Sequence, residues 1–193
     1  MASQIKVNEI IKQSGSSITI GESGDTINIG TTGDTVNIAG SAYAEAGTNT
    51  PAFIAKYSGN GSGFANGTYV KLSFDSEVYD SGSVYDTSNY RFTPGVVGKY
   101  QLYSRIIFQA GGTSPSQARI AIYKNGSILQ YCRWTTATTA GDWSVQISHI
   151  DNSTSTSDYY ETYAYQSNAT SSTSFTIGDG GLTNVFYGYR ILT

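Results

Sequence analysis

Three short segments recur at a spacing of nine residues near the start of this 193-residue chain: Ile18-Thr19-Ile20-Gly21, Ile27-Asn28-Ile29-Gly30 and Val36-Asn37-Ile38-Ala39. Gly24-Asp25-Thr26 and Gly33-Asp34-Thr35 separate them. The alternation is that of a β-strand with one apolar face. Gly-Asp-Thr is turn chemistry: Gly admits tight or left-handed backbone, and Asp bonds its own backbone two residues on. Residues 17–40 offer six side chains for burial, Ile18, Ile20, Ile27, Ile29, Val36 and Ile38. Burying these in one chain falls short of offsetting the conformational entropy lost in ordering the segment. Three nonamers are also too few for a freestanding solenoid. Identical chains wound about one axis remove the shortfall by sharing an interior. Residues 17–40 are therefore read as an intertwined, three-chain β stalk with its Ile-x-Ile rows turned inward. Calcium-binding nonapeptides differ, because they need Gly-Gly-x-Gly-x-Asp. Here the glycines stand at 21 and 24 around Asp25 and at 30 and 33 around Asp34.

The remainder has a different texture. It is rich in Ser, Thr and aromatic residues, and the whole chain has 16 Tyr, 22 Gly and only 3 Pro. Few helix formers and many β-branched and aromatic residues predict an all-β protein. A net charge of −3 with no basic run argues against nucleic-acid binding. No apolar run approaches the roughly 20 residues that span a membrane, so no membrane insertion is expected. The first residues lack an apolar signal core, so classical secretion is not expected either. Cys132 is the only cysteine, which excludes an intrachain disulfide, and it reads as a small packing residue.

Residues 1–16 allow two local readings. Ile5 and Val7 alternate with polar neighbours as in a strand, and residues 9–13 would equally make one helical turn. Residues 41–50, rich in Ala, Gly and Thr, form a connector. From Pro51 to the end, apolar and polar residues alternate between closely spaced turn signals, including Ser81-Gly82, Pro94-Gly95 and Asn125-Gly126. Such punctuation predicts a sandwich or barrel, with strands over 70–75, 89–92, 98–109, 118–124, 127–133, 143–150, 158–166, 173–177 and 184–192. Asn125-Gly126, set between Ile120-Ala121-Ile122-Tyr123 and Ile128-Leu129-Gln130-Tyr131, is the sharpest hairpin signal.

Phe74, Asp80, Tyr85, Phe92, Gly98 and Tyr100 form the most specific pattern, with the string Phe92-Thr93-Pro94-Gly95-Val96-Val97-Gly98-Lys99-Tyr100 at its end. This resembles the signature of the globular domain of complement component q and its tumour-necrosis-factor-like relatives. Further matches are Ile122-Tyr123-Lys124-Asn125-Gly126, the run from Asp158 to Tyr165, and the closing Phe186-Tyr187-Gly188-Tyr189-Arg190-Ile191. Leu102 stands where that family has Phe, and Ser104 where it has an aromatic. The resemblance covers residues 51–193 and implies a ten-stranded jelly-roll sandwich assembled as a homotrimer, which agrees with a three-chain stalk on the same axis. Phe74, Phe92 and Tyr100 are expected in the core, and Gly98 at a tight entry into its strand. By the same resemblance, the strand holding Tyr160, Tyr163 and Tyr165 is expected near the threefold axis, with one tyrosine face between subunits. Tyr159, Glu161, Tyr163 and Tyr165 share one of its faces; Tyr160, Thr162 and Ala164 share the other.

Catalytic signals are weak. His149 is the only histidine, too few for a multi-histidine metal site within one chain. No nucleophile elbow frames any serine, and Gly178-Asp179-Gly180-Gly181 lacks the Lys-Ser or Lys-Thr of a phosphate loop. Asp75, Glu77 and Asp80, or Asp142 and Asp151, would be the carboxylates of a glycosidase, but they read as loop and edge charges. No catalytic residue, metal or cofactor is expected. Loops rich in Tyr, Ser, Thr and Asn, over 58–68, 111–117, 135–142, 151–157 and 167–172, suit a polar ligand such as a host-surface glycan.

The opening string, from Ile5 to Gly21, resembles N-terminal segments of structural proteins of tailed phages, particularly marine ones. That resemblance implies a non-enzymatic protein on the virion surface, assembled in the host cytoplasm. Residues 1–16 would attach to a capsid or tail protein, and residues 51–193 would project as a head. The head would decorate the capsid or form a short tail fibre. The alternatives are an exported bacterial lectin with the same head and a polysaccharide depolymerase.

Overall fold

A computed structural model of the chain describes residues 49–58, 61–109, 116–135, 143–167, 175–177 and 184–191. The chain divides between Tyr43 and Ala44, and every described residue belongs to the second unit. The expected attachment segment 1–16, the stalk 17–40 with Ile18, Ile20, Ile27, Ile29, Val36 and Ile38, and the connector up to residue 48 lie outside the described residues.

The described residues are all-β. In chain order the strands are β1 Ala52–Lys56, β2 Gly61–Phe64, β3 Tyr69–Lys71, β4 Ser76–Asp80, β5 Tyr85–Asp86, β6 Arg91–Phe92 and β7 Gly98–Gln109. Then follow β8 Gln117–Lys124, β9 Ser127–Thr135, β10 Trp143–Ser153, β11 Tyr160–Ser167, β12 Phe175–Ile177 and β13 Val185–Arg190. They form two sheets. The first runs β2-β12-β7-β13-β1-β4, with β10 on the other edge of β7. The second runs β5-β6-β11-β8-β9, with β3 also on β11. Every strand pairing within these two sheets is antiparallel. Neighbours in a sheet are often distant in sequence, as a jelly roll requires.

β7 shows how the sequence builds this. Tyr100, Leu102, Ser104, Ile106 and Phe108 are buried and alternate with partly exposed Gln101, Tyr103, Arg105 and Ile107. A strand with period-2 burial must pack one face on another layer. That layer is the inward face of β8 and β11, which contributes Ala118, Ile120, Ile122, Tyr160 and Ala164. Phe53 sits at the aromatic centre: it stacks on Tyr85 at 4.7 Å and on Phe92 at 4.4 Å, and meets Phe186 edge-on at 4.8 Å. Fully burying such a ring contributes about 1.5–3 kcal/mol.

The sequence signature is absorbed by this frame. Phe74, Phe92 and Tyr100 have no solvent exposure. The buried Tyr85 hydroxyl donates to the Phe74 carbonyl at 2.9 Å, and the Tyr100 hydroxyl to the Val96 carbonyl at 2.7 Å. The Asp80 carboxylate accepts from the N–H groups of Val84 and Tyr85, at 3.0 and 2.9 Å, and so closes the turn that leads into β5. Gly98 opens β7 at φ +147, a conformation that L side chains rarely adopt. At the two departures from the family pattern, Leu102 packs against Gly188, and buried Ser104 donates its hydroxyl to the Val185 carbonyl at 3.1 Å.

The Asn125-Gly126 hairpin joins β8 to β9, with φ of +52 and +79 at its two central residues, the pattern of a tight primed turn. The strand expected over 70–75 is shorter, because the ladder of β3 stops at Lys71, although the Leu72 N–H still donates to the Thr162 carbonyl. β1, β2, β4 and β5 were not expected. β4 is an edge strand whose Glu77, Val78 and Tyr79 are all exposed, so it carries no burial period to read.

Candidate assembly and ligand faces

The outer face of the first sheet is poor in charge and rich in tyrosine. Register places Ser148 of β10, Tyr103 of β7, Tyr187 of β13, Ile54 of β1 and Tyr79 of β4 in one row across the sheet. Tyr103 and Tyr187 stack at 4.8 Å, and the Tyr103 hydroxyl donates to Gln146 at 2.9 Å. In the neighbouring row Ile150, Gln101, Tyr189 and Ala52 follow one another. Ile150 is 57% exposed, Tyr79 50% and Tyr189 36%. An open groove of about 280 Å³ runs between Ala52, Ile54, Tyr79, Tyr187 and Tyr189, floored by Phe53 and Gly188. Neither of these two rows holds an Asp, Glu, Lys or Arg among the described residues; Lys56 and Arg105 begin the next row on one side, and Lys99 stands in the next row on the other. Burial, then the neighbouring Tyr103 and Tyr189, raise the Tyr187 phenol above its ordinary value, so Tyr187 is uncharged at neutral pH. Apolar clusters of this kind on a sheet face mark contact surfaces.

The outer face of the second sheet has other chemistry. Tyr69 of β3, Tyr165 of β11, Arg119 of β8 and Arg133 of β9 lie in one row. The next row is Lys71, Tyr163, Ala121 and Tyr131. Tyr123 and Tyr163 stack at 3.9 Å. The Arg119 guanidinium lies over the rings of Tyr165 and Tyr131, at 4.6 and 5.3 Å. Nearer β6, Glu161 is 2% exposed and serves as a hub. Its Oε1 accepts from Lys71 Nζ at 2.7 Å and from Arg91 Nε at 2.8 Å, and its Oε2 from the Tyr163 hydroxyl at 3.1 Å. Burial alone would raise the Glu161 carboxyl, but Lys71 and Arg91 outweigh it and hold the group below its ordinary value. Burial and the adjacent Glu161 push the Tyr163 phenol up to about 12.

Tyr160 corrects an expectation. It has no solvent exposure and lies between the sheets, stacked on Phe92 at 6.0 Å and beside Tyr100, with its hydroxyl donating to Asp151 at 2.6 Å. It is therefore closed to contact with another subunit. Alternation separates the two faces of β11 without saying which turns inward, and the aromatic core draws in the Tyr160 face. Tyr163 and Tyr165 are half-buried on the outer face of the second sheet. The apolar and more open surface belongs to the first sheet, which sequence reasoning passed over because Tyr103, Tyr187 and Ile54 come from three separate stretches.

Of the carboxylates weighed as catalytic, Asp75, Asp80 and Asp151 have structural partners, and Glu77 is exposed on the edge strand β4. Asp75 accepts from the N–H and hydroxyl of Ser58 at 2.8 and 2.6 Å. Asp80 closes its turn, and Asp151 pairs with Lys124 at 2.7 Å. Asp142 lies outside the described residues. Among the described residues no group of His, Cys, Asp and Glu side chains has the makings of a metal site. His149 has the inward parity of Val145 and Ile147 and pairs with Leu102 across the ladder. Cys132 packs against the core from β9. Of the loops weighed for ligand binding, residues 59–60, 111–115, 136–142 and 168–172 lie outside the described residues.

A polar knot closes the far end of the hairpin. Asp158 accepts from Asn125 Nδ2 at 2.8 Å, from the Ser153 hydroxyl at 3.0 Å and from the Thr154 N–H at 3.0 Å, with Lys124 Nζ at 3.2 Å. The hydrogen bond from Asn125, with those from Lys124, Ser153 and Thr154, holds the Asp158 carboxyl well below the usual carboxylate range despite burial.

The two sheets, of seven and six strands among the described residues, have the fold of a tumour-necrosis-factor-like jelly roll. The chain is similar in fold to Eiger TNF from S. frugiperda, with a TM-score of 0.51 and 11% identity over 72% of this chain and 90% of that one. It is equally similar to the crystal structure of murine APRIL at pH 8.0, with a TM-score of 0.51 and 11% identity over 72% of this chain and 99% of that one. No protein-family model and no curated protein matches the sequence.

Proposed function

We propose that this chain is a non-enzymatic, homotrimeric structural protein of a tailed-phage particle. Residues 1–16 dock on a capsid or tail protein, residues 17–40 wind into the stalk, and residues 51–193 form a head that decorates the particle and touches the host surface. The observation that carries the self-association is the tyrosine-lined groove on the first sheet, around Ile54, Tyr79, Tyr187 and Tyr189. The nonamer repeats call independently for sister chains, and the superfamily whose fold this head shares assembles through threes. The viral setting rests on the opening segment's resemblance to tailed-phage proteins.

Light scattering on the full-length protein tests the assembly, with an expected mass of three times 20.6 kDa. Tyr187→Glu, which buries a charge without a partner in the groove, is expected to lower that mass, and Tyr79→Glu at the exposed edge to do so more gently. A monomeric wild type, or both variants remaining trimeric, rejects this face as the assembly surface. Labelling this chain on purified particles by electron microscopy tests the virion role.

A further inference from the structure

We infer that the outer face of the second sheet is a binding site for an acidic saccharide, centred on Arg119 and Arg133. This deepens the glycan-contacting reading of the head and rests on it. It moves the contact from the loops to a sheet face and gives the ligand a charge.

Arg119 and Arg133 are direct partners in the β8–β9 ladder. Like charges placed opposite one another on a sheet are unfavourable, and such pairs are ordinarily relieved by a carboxylate. Here the ion pairs among the described residues join Lys71 and Arg91 to Glu161, and Lys124 to Asp151 and Asp158. Neither Arg119 nor Arg133 takes part in one. Arg119 is instead held by neutral groups: its Nε donates to Gln117 Oε1 at 2.7 Å and its Nη1 to the Tyr69 hydroxyl at 3.3 Å. A guanidinium has five N–H donors in a planar fork, and these bonds use two of them, leaving donors enough for a carboxylate or sulfate. Arg133 beside it is exposed.

The flanking groups select a sugar. Tyr69 and Tyr165 lie on one side of Arg119, 5.0 Å apart between ring centroids, and Tyr131, 46% exposed, lies on the other. Aromatic faces take the apolar C–H face of a pyranose, while their hydroxyls reach its polar rim. The row from Tyr69 to Arg133 crosses four strands, about 14 Å at the usual strand spacing, which accommodates more than one sugar ring. A nucleic acid fits less well. Its affinity grows with the number of phosphates neutralised, and among the described residues this row presents two cations outside the ion pairs, on a chain of net charge −3.

Titration calorimetry at low salt with penta-galacturonic acid, set against uncharged maltopentaose and a single-stranded DNA pentamer, tests the site on the full-length protein. Light scattering is run on the same samples. The expected result is measurable binding of the uronic acid that weakens with added salt, with the neutral sugar and the DNA each binding at least tenfold more weakly. Arg119→Gln and Arg133→Gln should each weaken binding about tenfold or more, the loss expected for a charge-assisted hydrogen bond, and Tyr131→Ala severalfold. Near-ultraviolet dichroism verifies that the variants fold, and Arg133→Gln, exposed on an edge strand, is the one least able to disturb the core. No binding of the uronic acid by an intact trimer overturns the site and leaves the proposed assembly standing. Binding by a monomer supports the site and rejects the assembly. DNA binding as tight as the uronic acid, or binding untouched by Arg133→Gln, also overturns it.

Discussion

At the scale of single residues, two positions show how narrowly the interior is filled. A Cβ added at Gly188 would stand 2.8 Å from Leu102 Cδ2, 3.1 Å from Phe53 Cε1 and 3.2 Å from the Gln101 carbonyl. Gly188→Ala is expected to destabilise the head by about 1–3 kcal/mol, as overpacking does. Leu102→Ala in the same molecule should recover part of that loss, read as a non-additive cycle in urea denaturation. Thr162 presents the converse case. Its Oγ1 is buried with no hydrogen-bond partner among the described residues. Thr162→Val keeps the shape and removes the unsatisfied group, so stability should hold or rise by about 1 kcal/mol; a clear loss in the same assay would show that the hydroxyl has a partner. Neither position was legible in the sequence. Gly188 reads as an ordinary glycine in an aromatic strand until Leu102, 86 positions earlier in the chain, is known to lie over it.

Among the elements, the β8–β9 hairpin was read correctly because its signal is local: two alternating strands and an Asn-Gly pair suffice. What secures it was hidden, since Ser153 ends β10, and Thr154 and Asp158 come from the connection that follows it. That knot has a pH signature. Asp158 and Glu161 are both held below their ordinary values in the folded state, so the unfolded chain binds more protons and stability rises with pH. Their contribution is fully present above about pH 4–5, the unfolded carboxylate range, and is lost as pH falls below it. Thermal melts from pH 6 down to pH 2 should show that decline. Asp158→Asn should lower the melting temperature at pH 6 and flatten the acid limb; an unchanged slope would mean that Asp158 titrates normally. The short edge strands β4 and β5 were missed for the opposite reason. They are placed by Phe53, Asp80 and Phe92, not by any pattern of their own.

For the whole molecule, the head divides its two outer surfaces between different chemistries. The first sheet offers tyrosine, isoleucine and small polar groups, suited to copies of itself. The second offers arginine and tyrosine, suited to the acidic ligand inferred for it. The stalk belongs to this scale as well. Ile29→Asp would put a charge on the proposed shared axis, and limited proteolysis should then cut within residues 17–40 while the head stays intact. Unchanged protection and an unchanged mass would count against inward isoleucine rows. Chelation should leave the melting temperature where it is, because the glycines around Asp25 and Asp34 are offset from the calcium-binding pattern.

By itself the sequence determined the all-β class, the long alternating strand β7, the hairpin at Asn125-Gly126 and the core aromatics Phe74, Phe92 and Tyr100. Each of these depends on periods and turns confined to a few neighbouring residues. Only the tertiary structure decided that Tyr160 turns inward, that Ile54, Tyr79, Tyr103 and Tyr187 form one apolar row, and that Arg119 meets Arg133 beside three tyrosines. Those rows depend on the register between strands, most of them distant in the chain. A shift of one residue would turn every side chain of a strand to its other face, and it is the packing of the two sheets against one interior that selects the register.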